Sequence, residues 1–404
     1  MERRQAYKFE LKPNGAQVRA MRRIAGSCRF VYNKGLEWQK KQYEAGNKTK
    51  LSYTEWANLL PGWKKDPATK WLREAPSQTL QQALKDLERA YKNFFAKRAD
   101  FPKYKRRGQR DRFRFPQGFK LEQENRRVFL PKLGWVSYHK SREVLGTVKN
   151  MTVSLNAGKW YVSIQTEREV EQPAHQATTI VGVDVGVAKF ATLSTGQVFE
   201  PINSFKSKAQ RLARYQRAMS RKTKFSKNWQ KAKLKVTRLH SKIANCRRDY
   251  LHKTSTTISQ NHAVIVIEDL RIRNISKSAA GTQEAPGRSV RAKAGLNKSI
   301  LDQGWYEFRR QLEYKQRWRG GDVLAVPAQY TSQRCSCCGH VAKASRLSQA
   351  KFECVDCGYS ENADINAARN ILAAGHAVLA CGEMVQSGYS VKQEPAEVTI
   401  QNNV

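Results

Sequence analysis

Residues 180–187 read Ile-Val-Gly-Val-Asp-Val-Gly-Val, an apolar strand carrying a single carboxylate, Asp184, between Gly182 and Gly186. Burying an unpaired carboxylate is strongly unfavourable or drives its pKa upward. Asp184 therefore calls for a compensating cation or for a buried Arg or Lys partner. A second strand at Phe190 to Ser194 and a Thr195-Gly196 turn into a third around Val198 make the natural continuation a three-stranded meander.

Further along, the apolar strand Ala263 to Ile267 ends in Glu268-Asp269-Leu270. If it lies parallel to the first strand, its carboxyl end brings Glu268 close to Asp184. Asp364 supplies a third acid at the start of a last helix, 364–374, where the helix dipole and free amides favour a charged oxygen. Ile365, Ala368, Ile371 and Leu372 would face the core. Three converging carboxylates repel, and two divalent cations about 4 Å apart would relieve that repulsion, activate a water and stabilise a leaving oxygen in phosphodiester cleavage. Oxygen ligation with open positions suits magnesium or manganese.

Cys335-x2-Cys338 and Cys354-x2-Cys357 stand fifteen residues apart, each pair followed by glycine, Gly339 and Gly358. This is zinc-ribbon spacing: a two-residue gap lets one tight turn aim two thiolates at a tetrahedral metal, and glycine tolerates the positive φ such turns need. A shell of four thiolates is closed, so the zinc stabilises rather than hydrolyses. Cys337 and His340 are read as bystanders.

The chain has 404 residues with 74 Lys and Arg against 34 Asp and Glu, a net charge of +40 that makes a polyanion, nucleic acid, the expected partner. A membrane binder would concentrate such charge on one amphipathic helix, whereas here it is spread along the chain. No apolar run is long enough to cross a bilayer, and no secretory signal follows Met1, so a cytoplasmic location, bacterial or archaeal, is expected. Single cores rarely grow past roughly 250 to 300 residues, so two to four domains are expected.

A strand at Ala6 to Leu11 precedes a helical region running to Lys97, whose cleanest helix starts at Ser77, read as an N-cap behind Pro76. Residues 97–142 carry fifteen Lys or Arg against four acids, interleaved with aromatic residues in strand-like segments. They read as a small basic β domain, with the helical region inserted after its first strand. Residues 205–260 read as a basic helical pair broken near Lys222 to Lys227, residues 271–295 as mobile, and 296–318 as one helix.

At this point the sequence resembles the TnpB proteins of bacterial insertion sequences, relatives of type V CRISPR effectors. The resemblance is carried by Gly182-Val-Asp184-Val-Gly186, Ile267-Glu268-Asp269-Leu270, Thr331-Ser-Gln-Arg-Cys335-Ser-Cys-Cys338-Gly339, Phe352-Glu-Cys354-Val-Asp-Cys357-Gly358 and Asp364-Ile-Asn366-Ala-Ala-Arg-Asn370-Ile371. It implies an α/β and α+β multidomain protein. A wedge-like β-barrel domain (1–12 and 98–170) would hold a helical recognition domain (13–97). A ribonuclease H/RuvC-like nuclease domain (179–330 and 361–374) would be interrupted by a zinc ribbon (331–360); the tail (375–404) matches no motif of the family and, with little periodicity, reads as flexible. It further implies an RNA-guided DNA endonuclease, with a guide RNA from the transposon end and a double-stranded DNA target beside a short transposon-adjacent motif.

Between Lys206 and Lys253 there are seventeen Lys or Arg and one acid, Asp249, a candidate polyanion groove. Lys103, Lys105, Arg106, Arg107, Arg110 and Arg112 form a second. Gln78, Gln81 and Gln82 carry amides suited to adenine edges, and the resemblance sets this helix and Tyr53 near the adjacent-motif DNA. Two rivals stay open: an RNA-guided repressor without cleavage, and an RNA-independent DNA strand-transferase.

Overall fold

The computed structural model describes residues 1–46, 52–109 and 111–381. The chain divides into two compact units, 1–171 and 172–404.

The first unit opens with β1 (Glu2–Lys12). Three helices follow, α1 (Gly15–Glu44), α2 (Tyr53–Lys65) and α3 (Ser77–Phe95). Then come β2 (Arg112–Phe115), β3 (Lys120–Glu122), β4 (Arg127–Leu130), β5 (Gly134–Tyr138), β6 (Thr147–Asn156) and β7 (Lys159–Glu169). These strands form one antiparallel sheet in the order β2-β6-β7-β1-β5-β4-β3, so the helices are inserted between its central strand and its edge. Asn14 caps α1 and Ser52 caps α2, each in a reciprocal capping box. Ser77 differs from the expectation: Pro76 occupies the cap position, and the Ser77 hydroxyl accepts from Lys64 Nζ at 2.6 Å instead.

The second unit contains β8 (Ile180–Val185), β9 (Ala191–Leu193), β10 (Val198–Phe199), α4 (Ala209–Ser220), α5 (Lys227–Asn261) and β11 (Val264–Glu268). It continues with α6 (Ile272–Ile275), α7 (Val290–Gln303), α8 (Trp305–Arg319), β12 (Asp322–Val326), β13 (Lys351–Glu353), β14 (Ser360–Asn362) and α9 (Ala363–Ala380). Its sheet runs β10-β9-β8-β11-β12, with the first three strands an antiparallel meander and β8, β11 and β12 parallel. Helices cover both faces. Val181, Val183, Ile265 and Ile267 pack with Leu251, Ile258, Phe308 and Leu312 from α5 and α8, while Val266 packs with Ile371 and Leu372 of α9. Burial on both faces is why these strands are apolar throughout.

Two expectations are corrected here, the single helix over 296–318 and the end of the last helix. Residues 296–318 are not one helix: Gly304, at φ 76°, ends α7 and starts α8, because a left-handed residue cannot continue a helix. The 271–295 stretch contains α6 and the start of α7, tied together by the Asn297 amide donating to the Ser276 carbonyl and Lys293 Nζ to that of Ile275. The last helix runs to Ala380, six residues past 374, and residues 382–404 of the tail lie outside the described residues.

Candidate active site and structural metal centre

Side chains alternate along a strand, so Gly182 and Asp184 share one face of β8, and Val266 and Glu268 share the corresponding face of β11. The last registered pair of these strands is Val183 with Ile267. One step further, Asp184 and Glu268 stand level on neighbouring parallel strands, roughly 4.8 Å apart in backbone.

This is the face that α9 covers, and Gly182 makes the approach possible. A Cβ there would collide with the Ala368 carbonyl and crowd the Leu372 amide. Asp364 sits in the first turn of α9, where Asn362 caps the helix by accepting from the Asp364 N–H at 3.1 Å.

The electrostatics follow from this arrangement. Asp184 is pushed up to about 7, first by burial and then by the charges of Glu268 and Asp364, with Arg346 and the Val185 N–H opposing. Burial also raises Glu268, against the Thr331 hydroxyl, which donates to Glu268 Oε1 at 2.6 Å. Lys189 Nζ lies 3.8 Å from Asp364 Oδ2. The three acids thus share one field, yet among the described residues only the four cysteines bring their ligand atoms within 4.8 Å of one another. The donor set is all oxygen, half-buried and mutually repelling, which fits divalent cations.

Sequence reasoning missed Thr331, Lys189 and Arg346. Thr331 belongs to a quoted motif but received no role. Arg346 lies in the ribbon, with no periodicity to connect it to Asp184.

Cys335 Sγ lies 3.8 Å from Cys357 Sγ and Cys338 Sγ lies 3.6 Å from Cys354 Sγ. A tetrahedron with metal–sulfur bonds of about 2.3 Å has edges of about 3.8 Å. Gly339 and Gly358 adopt φ of 79° and 71°, closing the two turns with N–H bonds to the Cys335 and Cys354 carbonyls. The Cys357 and Asp356 N–H groups help pull Cys354 down to about 6. The four cysteines form a structural metal site. Two buried amides bind it to the helix that carries Asp364: Asn366 and Asn370 of α9 both donate to the Arg334 carbonyl, and Asn366 Oδ1 accepts from the Ser336 N–H.

In the first unit, a cavity of about 860 Å³ is lined by Gln82, Lys103, Lys105, Arg106 and Arg112 together with Arg89 and Arg114. Lys105 is less exposed than expected: its ammonium sits 3.7 Å over the Tyr32 ring, and burial lowers its pKa. Arg112 pairs with Asp86 and Lys103 with Asp100, both at 3.4 Å. Arg107 is exposed, Gln78 and Gln81 are half-buried, and Arg110 lies outside the described residues. Tyr53 starts α2, its ring 4.6 Å from Lys85 Nζ of α3.

Three family models match this chain: one described as "Probable transposase" over residues 163–279, "Cas12f1-like, TNB domain" over 305–371 and "Helix-turn-helix domain" over 1–48. Residues 1–46 form β1 and the unbroken α1, not two helices joined by a turn. InsQ of Escherichia coli strain K12, which carries the provisional name RNA-guided DNA endonuclease, is 65% identical over 398 residues, 98% of this chain and 99% of that one. A protein of the same provisional name from Streptomyces pristinaespiralis is 36% identical over 418 residues, covering 98% and 97%. The Cas12f1 chain of the Cas12f1–sgRNA–target DNA complex shares the fold, with a TM-score of 0.54 at 12% identity, over 92% of this chain and 98% of that one.

Proposed function

Because the chain belongs to the TnpB/IS605 transposase family, related to Cas12f1, we propose that it is an RNA-guided DNA endonuclease. It would cleave a target duplex beside a short transposon-adjacent motif by metal-dependent phosphodiester hydrolysis. The observation that carries this reading is the level placement of Asp184 and Glu268 on adjacent strands, with Asp364 close enough to help push Asp184 to about 7.

Asp184, Glu268 and Asp364 would hold magnesium or manganese. When bound, such ions supply charge neutralisation at the phosphate and a nucleophilic water. The chain's own residues do the positioning. Thr331 fixes the Glu268 carboxylate, Asn362 fixes the first turn of α9, and Gly182 admits the helix. Arg346 offsets negative charge at Asp184. The four-cysteine site would hold zinc, whose closed shell suits a structural role.

In the same reading, residues 1–12 and 98–170 form the wedge and 13–97 the recognition domain, and the nuclease runs over 179–330 and 361–374 around the ribbon at 331–360. Gln78, Gln81, Gln82 and Tyr53 would face the adjacent-motif duplex, while the cationic cavity and the α4–α5 pair contact phosphates. The strand-transferase alternative is favoured only by the transposase description of one family model. One experiment separates them: purify the chain from its native locus, sequence any bound RNA, and assay cutting of a matching duplex with magnesium. RNA-directed cutting that Asp184→Ala abolishes, with RNA binding intact, supports the proposal. Strand joining that survives ribonuclease treatment overturns it.

A further inference from the structure

α4 and α5 form an antiparallel pair packed through Leu212, Val236, Leu239 and Ile243, with Met219 partly buried against them. Beyond Met219 the hairpin ends in Arg221-Lys-Thr-Lys-Phe225-Ser-Lys-Asn-Trp229, whose two aromatic rings belong to no hydrophobic cluster among the described residues. Phe225 is 69% exposed and adopts φ 70°. That backbone region is strained for a bulky side chain, and such strain persists only where the surroundings over-determine it. Here they do. Ser226 N–H donates to the Thr223 carbonyl, Ser226 Oγ caps α5 by accepting from Trp229 N–H, and the Gln230 amide donates to the Phe225 carbonyl. The turn presents its ring to solvent rather than hiding it.

The ring has a defined setting. Phe225 and Trp229 meet edge to face at 5.5 Å, Lys224 Nζ stands 5.3 Å over Phe225, and Lys233 Nζ stands 5.1 Å over Trp229. Arg221, Lys222, Lys227 and Lys231 lie beside them in the sequence, all exposed, and the only acid between Lys206 and Lys253 is Asp249. Planar apolar rings in an exclusively cationic collar match a polyanion with stackable faces.

We propose that this hairpin tip is a stacking platform for a terminal or unpaired base in the folded part of the guide RNA. The inference rests on the RNA-guided reading above. Its choice of RNA follows from length: α5 spans 35 residues, about 50 Å at 1.5 Å per residue, and leads directly into β11 and Glu268. An occupant of the tip therefore lies far from the scissile phosphate. Target strands must be released after cutting, whereas the guide stays, and a rigid, pre-strained platform suits a partner of constant shape.

The test uses the full chain and the RNA that copurifies with it, resynthesised with a fluorescent end label. Phe225→Ala combined with Trp229→Ala weakens binding of that RNA by about tenfold, whereas Phe225→Tyr with Trp229 kept binds it as the wild type does. A second variant, Phe225→p-benzoylphenylalanine, retains an aromatic ring and crosslinks to the RNA on irradiation. Unchanged RNA affinity in the double variant, or a crosslink that falls on target DNA or nowhere, overturns the platform while leaving the RNA-guided reading intact. A wild-type chain that carries no RNA overturns both.

Discussion

Thr331 donates its hydroxyl to Glu268 Oε1 at 2.6 Å, while its carbonyl accepts from the buried Asn370 amide of α9 at 2.9 Å. One residue at the entry to the ribbon thus orients an acid on β11 and anchors the helix that brings Asp364. Groups that orient metal ligands are typically worth about 10- to 100-fold in metal affinity or activity. Thr331→Val is expected to raise the magnesium concentration for half-maximal cutting by about that factor. Thr331→Ser restores it, as a titration of cleavage rate against magnesium would check.

Asp184 stands at about 7 against an ordinary value of 3.8, raised first by burial and then by Glu268 and Asp364. Between those values the magnesium-free native state holds a proton that the unfolded chain has released. The contribution of Asp184 to stability is then full below about pH 4, falls as pH rises, and levels off above about 7. Relative to Asp184→Asn, the wild type is expected to lose on the order of 3 kcal/mol between pH 4 and pH 8. Urea unfolding in magnesium-free buffer measures this, and parallel pH profiles for the two proteins would refute it.

Arg346 is the cation that opposes this rise. Removing it pushes Asp184 higher still, so magnesium must compete with a more tightly held proton. For Arg346→Ala, the pH midpoint of the magnesium-induced rise in Tm moves upward by about half a unit or more. An unchanged midpoint would show that Arg346 acts elsewhere.

Gly182→Ala places a methyl group against the Ala368 carbonyl and the Leu372 amide. Both are backbone groups within a helix and cannot rotate away, so α9 must shift and carry Asp364 with it. Destabilisation of about 3 kcal/mol is expected, with loss of magnesium-dependent cutting but retained RNA affinity. Thermal melting and filter binding distinguish these effects.

The ribbon should carry one zinc per chain by elemental analysis. Cys338→Ser is expected to lose it and, through Asn366 and Asn370, to loosen α9. Cutting then falls together with zinc content rather than with RNA binding.

Legibility in the sequence followed the strength of the local signal. The apolar strands around Asp184 and Glu268 and the Cys-x2-Cys pairs could be read directly, because a short unbroken apolar run and a fixed spacing translate into geometry without knowledge of the rest of the fold. The break at Gly304 and the placing of Pro76 rather than Ser77 at the start of α3 could not, since both depend on the choice between local backbone conformations. Thr331 and Arg346 were invisible for another reason: each acts across more than sixty residues of chain, on a partner that only the folded sheet and ribbon identify. The glutamines of α3 carried no marker separating a reading surface from a solvated face.

The acids are also ordered along the chain. Asp184 and Glu268 precede the ribbon and Asp364 follows it, on the last described helix. A ribosome has therefore already built the basic hairpin of α4 and α5, and both halves of the cysteine site, before the third carboxylate exists. A copy interrupted by a stop codon between 270 and 363 would encode the basic hairpin and two of the acids but lack the third, and with it the helix that covers one face of the sheet.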